Sequence, residues 1–258
     1  MALVALLIFT LTAATGWYFT RTPNFDPSQF GTLTFGVDAP YPPYEYFDDA
    51  GQLTGFEIDL GNQLCANLKL DCVWQVTPWD TIIADLNSGK FDVIMSSMSI
   101  EEERKKEVSF GEPYYSTPSV FFARLSDNIA GLSNRNLAGK AVAVQSGTLQ
   151  EIYLQENYDS TLQILSLPGW DEVNKAFRSG EADLVFTDYP QWEGEFMLER
   201  VYEIIGETIR LGDGVALAFR KDDVQLRKGM NEGLAFMKEN GQYEKIRREY
   251  FLYDILVK

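Results

Sequence analysis

Two short stretches of this chain, Lys90-Phe-Asp-Val-Ile94 and Glu181-Ala-Asp-Leu-Val185, follow one plan, and that plan constrains the fold more than any other feature. Each comes directly after a helical pattern that stops at Ser-Gly (Ser88-Gly89 and Ser179-Gly180). Glycine is the usual residue just past a helix end, because it accepts the left-handed backbone needed there. Each is also a short apolar run of strand length. Around the first, the pattern predicts strands at residues 33–37, 72–76 and 91–95, with helices at 56–68 and 79–88 between them. Around the second it predicts strands near 141–144, 163–165 and 182–186, with helices at 149–157 and 170–179. Strand–helix–strand alternation of this kind predicts an α/β fold with a largely parallel sheet. The two similar halves read as two α/β units, not as a tandem repeat array. A last strand at 215–219 and helices near 223–240 and 241–250 complete the chain.

A chain of 258 residues, 45% hydrophobic and 23% charged, can bury one large core or two modest ones. Its net charge of −16 argues against a nucleic-acid partner, since binding phosphates needs a basic face. The same charge favours approach of a cationic small molecule, although solubility alone would also account for it. The chain has no histidine, which excludes Ser-His-Asp and Cys-His nucleophile systems and histidine-based zinc sites. Two cysteines cannot make a four-cysteine zinc site, so no metal or other cofactor is expected. Cys65 lies in an apolar helical pattern and Cys72 opens a strand; a helix stopping near Leu68 and turning back brings them within disulfide reach. Two free buried thiols are the alternative.

The N-terminus points to the same compartment as a disulfide. Residues 2–15 are uncharged and mostly apolar, and Ala14-Thr15-Gly16 has the small-x-small pattern of an export cleavage site. No Lys or Arg precedes the run, and Trp17, Tyr18 and Phe19 resemble an interfacial belt, so an uncleaved membrane anchor is the alternative. Residues 1–28 are set apart as leader or anchor. Either way the body of the protein is expected outside the cytoplasmic membrane.

The stretch from Phe91 to Arg104 carries the first candidate chemistry. A short buried strand opens into a turn with Ser96, Ser97 and Ser99, and a helix begins near Glu101 with Arg104 in its first turn. Free N–H groups, the helix dipole and a guanidinium together favour a carboxylate there. Tyr41-Pro-Pro-Tyr44 reads as a rigid extended loop, because proline fixes φ and restrains its predecessor.

With these motifs in order, the chain resembles the extracytoplasmic amino-acid-binding proteins of ABC importers (solute-binding protein family 3), especially the lysine/arginine/ornithine- and histidine-binding proteins. The resemblance spans about residues 31–253. It rests on Gly36-Val-Asp38 with Tyr41-Pro-Pro-Tyr44, Leu53-Thr-Gly-Phe-Glu-Ile-Asp-Leu60, Cys65 and Cys72, Ser96 to Arg104, Ser146-Gly-Thr148, Asp188, Phe219-Arg-Lys-Asp-Asp223 and Asn240-Gly-Gln-Tyr243. It implies a two-lobe periplasmic-binding-protein-like fold of type II. Lobe 1 would comprise residues 29–115 plus 213–258 and lobe 2 residues 116–212. Crossovers would lie near 114–116 and 212–214, and the ligand would sit in the cleft.

The resemblance also implies roles. Arg104, Ser99 and the N–H of Thr148 would hold the carboxylate of an L-amino acid. Asp188, assisted by Ser97, would hold its ammonium. Asp38, Tyr41 and Trp79 would choose the side chain, with the rings flanking an aliphatic stem or guanidinium face. An unpaired Asp38 disfavours acidic ligands, so the expected ligand is a basic amino acid: arginine, lysine, ornithine or histidine. Glutamine or another polar neutral amino acid is the alternative. The expected partner is the membrane permease of the importer, and the protein is expected to be monomeric and not an enzyme. Two other readings compete. A cyclohexadienyl-dehydratase-like enzyme would need a desolvated carboxylic acid in the cleft; the sequence marks none, and Glu45 is the sole candidate. A membrane-tethered sensor would keep the leader, but no signalling domain follows Lys258.

Overall fold

The computed structural model describes residues 25–256. The expected leader, through residue 24, lies outside them. Among the described residues no helix is long and apolar enough to cross a membrane.

The strands in chain order are β1 (Leu33–Val37), β2 (Tyr46–Phe47), β3 (Leu53–Thr54), β4 (Cys72–Val76), β5 (Val93–Ile94), β6 (Ser109–Phe110), β7 (Ser119–Arg124), β8 (Ala141–Gln145), β9 (Gln163–Leu167), β10 (Leu184–Asp188), β11 (Tyr202–Ile209) and β12 (Ala218–Phe219). They build two five-stranded sheets, ordered β4-β1-β5-β12-β6 and β11-β7-β10-β8-β9, while β2 and β3 pair as a separate two-stranded sheet. The chain crosses between the sheets twice, once in 111–118 and again in 210–217.

The expectation of a largely parallel sheet needs correction. In the first sheet β4, β1 and β5 run parallel, but β12 pairs antiparallel with both β5 and β6. In the second, β10, β8 and β9 are parallel while β7 is antiparallel to β10 and β11. The parallel strands come from the alternating units. The antiparallel ones flank the crossings, where the chain enters or returns without a helix on the sheet face.

Successive strand residues point to opposite faces, and each sheet is covered on both. On the first sheet Val93 joins the core containing Phe35, Phe56, Leu60 and Met230, whereas Ile94 joins Ile82, Leu86 and Phe91 on the other side. On the second sheet Phe121, Val142 and Leu184 face one core, and Phe122, Ala143 and Val185 face another. Helix Phe56–Leu68 buries Phe56, Leu60, Leu64 and Leu68 and ends at Lys69, which takes left-handed backbone (φ 57°). The chain then turns into β4, and Cys65 is joined to Cys72 with a Cα–Cα distance of 6.3 Å.

The Tyr-Pro-Pro-Tyr segment is folded back, not extended. The N–H groups of Tyr44 and Glu45 both donate to the carbonyl of Tyr41, and the N–H of Tyr41 donates to the carbonyl of Glu45. Pro42 and Pro43 carry no N–H and occupy the turn without leaving a donor unpaired. This turn carries Tyr44 into the first core and brings Glu45 beneath the serine turn.

Candidate functional site

The C-terminal ends of the parallel strands converge on one cleft, where open α/β sheets place their ligand sites. Asp38 follows β1, Ser96 and Ser97 follow β5, Gln145 closes β8, and Asp188 closes β10. Together with Tyr41, Trp79, Ser99, Arg104 and Thr148 they line a cavity with an empty volume of about 400 Å³. All eight residues expected at the site from the sequence therefore border the same cavity. Glu45, Ser96, Gln145, Leu149 and Gln150 border it as well.

Arg104 sits in the short helix Glu102–Glu107 and is only 7% exposed. Its NH1 donates to the carbonyl of Ser99 (3.0 Å) and its NH2 to that of Gly147 on the opposite wall (2.8 Å). Glu101 approaches its Nε at 3.3 Å, and the guanidinium lies 5.1 Å from the Trp79 ring centroid. Burial lowers its pKa and Glu101 partly opposes that, but a guanidinium stays charged. The indole N–H of Trp79 also donates to Gly147 (3.3 Å). Gly147 has a φ of +65°, which a side chain would strain; with glycine there, its carbonyl turns to both donors.

Thr148 caps helix Leu149–Tyr158: its hydroxyl accepts from the N–H of Glu151 and donates to the carbonyl of Gln145. The first N–H groups of this helix lie beside the cavity, across from Arg104. Asp188, which lines the same cavity, accepts from the hydroxyl of Tyr41 (2.8 Å) and from Nε2 of Gln150 (3.2 Å). Burial pushes its pKa up to about 6, against the lowering effect of hydrogen bonds from the Tyr41, Thr117 and Ser119 hydroxyls. Asp38 accepts from Nε2 of Gln145 (2.8 Å), and burial likewise raises it to about 6.

The serine turn is held from below. Ser97 has a φ of +51°, uncommon for a residue with a side chain. Its N–H donates to Oε2 of Glu57 (2.9 Å), and its hydroxyl accepts from Tyr115 (2.8 Å). Tyr114 donates to the other oxygen of Glu57 at 2.5 Å. Ser96 accepts from the N–H of Asp38 and donates to Oε1 of Glu45 (3.0 Å). Glu45 and Glu57 are 1% and 0% exposed. Burial raises both pKa values, and for Glu45 the neighbouring Glu57 adds to the rise. The sequence alone marked no carboxylate as desolvated; the turn at Pro42-Pro43 desolvates Glu45 by folding it under Ser96, a long-range contact invisible in local pattern.

Gln145 and Gln150 were missed. The available signal was position: Gln145 is the last residue of a strand that runs into Ser-Gly-Thr, and Gln150 lies in the first turn of the next helix. Tyr44 is fully buried in the core and stacks on Tyr41 and Tyr115.

Comparison with known proteins agrees with this architecture. The family model for bacterial extracellular solute-binding proteins, family 3, matches residues 33–253. The histidine-binding periplasmic protein of Escherichia coli (strain K12) is 32% identical over 231 residues, covering 86% of this chain and 88% of that protein. The L-arginine-binding protein of Pseudomonas aeruginosa is 32% identical over 235 residues, covering 86% and 89%. Among solved structures, an ancestral arginine-binding protein bound to arginine superposes with a TM-score of 0.80 at 31% identity, covering 86% of this chain and 99% of that one. A periplasmic His/Glu/Gln/Arg/opine family-binding protein from Silicibacter pomeroyi in complex with lysine gives 0.79 at 33% identity, covering 88% and 100%. A two-lobe α/β fold, a cleft at the strand tips and a match along most of its length place this chain among the bacterial extracellular solute-binding proteins of family 3.

Proposed function

We propose that this protein captures a basic L-amino acid between its two lobes, outside the cytoplasmic membrane, and delivers it as a monomer to the permease of an ABC importer. The observation that carries this reading is the charge layout of the cavity. One guanidinium, Arg104, stands against three lining carboxyl groups, Asp188, Asp38 and Glu45, of which Glu45 is tied to Ser96 and pushed toward its neutral form by burial and by Glu57. A zwitterion satisfies Arg104 with its carboxylate and Asp188 with its ammonium. Asp38 is then left facing the side chain and needs a positive partner, since a desolvated charge is costly alone. Ser99 and the N–H of Thr148 complete the carboxylate shell, and Ser97 assists at the ammonium. Tyr41 and Trp79 flank the side chain. The lobes are residues 29–115 with 213–258, and 116–212, hinged near 114–116 and 212–214. The named relatives are binding proteins for basic amino acids, and their periplasmic location supports the compartment. The same comparison supports a non-catalytic role.

The test is a thermal-shift panel of the twenty amino acids plus ornithine at pH 7.5. A saturating ligand stabilises the fold by mass action, by about 2.7 kcal/mol at one hundred times its Kd. Cationic amino acids are expected to raise Tm well above aspartate and glutamate. Stabilisation by glutamine alone would replace the basic reading with the neutral polar one. Conversion of prephenate or arogenate would overturn the non-catalytic role.

A further inference from the structure

Glu45 and Glu57 lie beneath consecutive residues of the serine turn: the Ser96 hydroxyl donates to Glu45, and the Ser97 N–H donates to Glu57. Both are shut off from solvent, and among the described residues neither bonds to a Lys or Arg. Two desolvated carboxyls that repel each other do not both ionise, so the pair holds a proton. Their partners decide which one carries it. Glu57 sits in the first turn of helix Phe56–Leu68, where the helix dipole favours negative charge. It accepts on both oxygens, from the Ser97 N–H at 2.9 Å and the Tyr114 hydroxyl at 2.5 Å, and these bonds oppose the rise that burial causes. Glu45 accepts from Ser96 at 3.0 Å, while its Oε2 has no partner within hydrogen-bond reach. The Ser97 hydroxyl lies near enough to favour its charged form, but burial and the charge of Glu57 outweigh that. Glu45 is thus the neutral acid and Glu57 the carboxylate. The other titratable groups around the pair are Asp38, Tyr41, Tyr114, Tyr115 and Tyr243, all raised by burial. At neutral pH the phenols are uncharged, and Asp38 adds negative potential that helps keep the proton on Glu45.

We propose that Glu45 and Glu57 share one proton beneath the serine turn, resident on Glu45 while the cleft is empty and released to solvent when an ammonium group is captured above Ser97. This inference rests on the amino-acid-binding reading above and adds a proton to its balance. Glu45 borders the cavity, and Ser97, the assisting group at the ammonium, stands directly on Glu57. A positive charge placed there favours the ionised form of both carboxyls and weakens the repulsion that kept the proton in place. By linkage, a ligand that lowers the proton affinity of a group binds more tightly as the pH rises. No bond other than that of the proton to Glu45 is broken, and the proton leaves to water or buffer. The pair thereby spares the empty protein a second buried charge and supplies that charge when a cation is present to meet it.

The test has two arms, both on purified protein freed of carried-over ligand. At pH 8 exposed carboxyls are ionised, so an infrared carboxylic-acid carbonyl band in the ligand-free protein marks a buried proton. The band is expected in the wild type and lost in Glu45→Gln, whose amide keeps an acceptor for Ser96 but does not titrate. The second arm is calorimetric titration with L-arginine, L-lysine, L-ornithine and L-glutamine at pH 7.5, in phosphate and in Tris, whose different heats of ionisation reveal protons released on binding. The wild type is expected to release about half a proton or more per ligand bound, and Glu45→Gln about a fifth of that or less. The wild-type band and the wild-type buffer dependence stand even if the variant fails to fold. A ligand-free wild type without the band, or a band that persists in Glu45→Gln, would overturn the placing of the proton. Equal heats of binding in the two buffers would overturn its link to capture. Binding of L-glutamine alone, with proton release, would leave the pair standing and remove the basic side-chain reading. Binding of none of the four would overturn both.

Discussion

Arg104 on one wall of the cleft and Asp188 on the other are held in different ways. Arg104 is fixed by main-chain acceptors, the carbonyls of Ser99 and Gly147, with a tryptophan ring beside it. Asp188 is fixed by side chains, the Tyr41 hydroxyl and the Gln150 amide. Each takes one of its partners from the opposite wall. The Ser99 carbonyl survives loss of its own side chain, and the Gly147 carbonyl persists as long as glycine holds its left-handed backbone; side-chain partners vanish with a single substitution. The positive end of the site is thus robust in position and depends on one residue for its charge, while the negative end can be tuned through its neighbours.

The sharpest way to break that contrast is to remove the two charges separately. Arg104→Ala deletes a two-toothed grip whose hydrogen bonds are worth about 1.5–3 kcal/mol each, so ligand affinity should drop at least about 100-fold. The carbonyls of Ser99 and Gly147 lose a donor but stay at the cleft edge, so the protein should remain folded. Asp188→Asn keeps shape and hydrogen bonding but not charge, and should cost about 10- to 100-fold. Calorimetric titration measures both. An Arg104→Ala protein that binds as well as wild type removes the carboxylate role and the whole polarity of the site.

Acid should act on the carboxylates of the site and not on its guanidinium. Burial lifts Asp38 and Asp188 to about 6, whereas Arg104 stays charged throughout. A carboxyl whose folded pKa is raised favours the folded state most fully below its unfolded value near 4, and that contribution is lost as pH rises through about 6. The unliganded fold is therefore under most electrostatic stress at neutral pH, where both carboxylates are ionised, and a cation relieves it there. The Tm gain from a basic ligand should be largest near pH 7.5 and shrink toward pH 5. At pH 5 each carboxylate would weaken binding by about tenfold. A gain that holds steady or grows on acidification would show that these carboxylates do not grip the ligand. The smallest effect is expected for Tyr41→Phe, which removes one support of Asp188. A loss of about 1 kcal/mol, or about fivefold in affinity, would confirm tuning through the neighbour, whereas no change in titration would mean that Gln150 alone suffices.

Local pattern revealed what local physics decides. Helix stops at Gly89 and Gly180, apolar runs of strand length, and the hydroxyl turn before Arg104 are short-range features, and they located the elements and the serine turn with Arg104, whereas Asp38, Tyr41, Trp79, Thr148 and Asp188 were singled out through the family resemblance. Three matters were hidden because they depend on distant partners. Strand direction beside the crossings was misread, since β12 slots between β5 and β6 from over 100 residues away. The fold-back at Pro42-Pro43 was read as extended, and with it the burial of Glu45 was lost. Gln145 acquires its place only through Asp38 on the facing wall, so no spacing rule could have flagged it.

The first sheet has a consequence for how the molecule is made. Its fourth strand in spatial order, β12, is supplied by residues 218–219, while all five strands of the second sheet lie between residues 119 and 209. A nascent chain that has just emerged through residue 210 carries every strand of the later sheet and lacks one from the middle of the earlier one. Synthesis order and completion order are reversed, and the arginine-bearing half of the trap is the last to close.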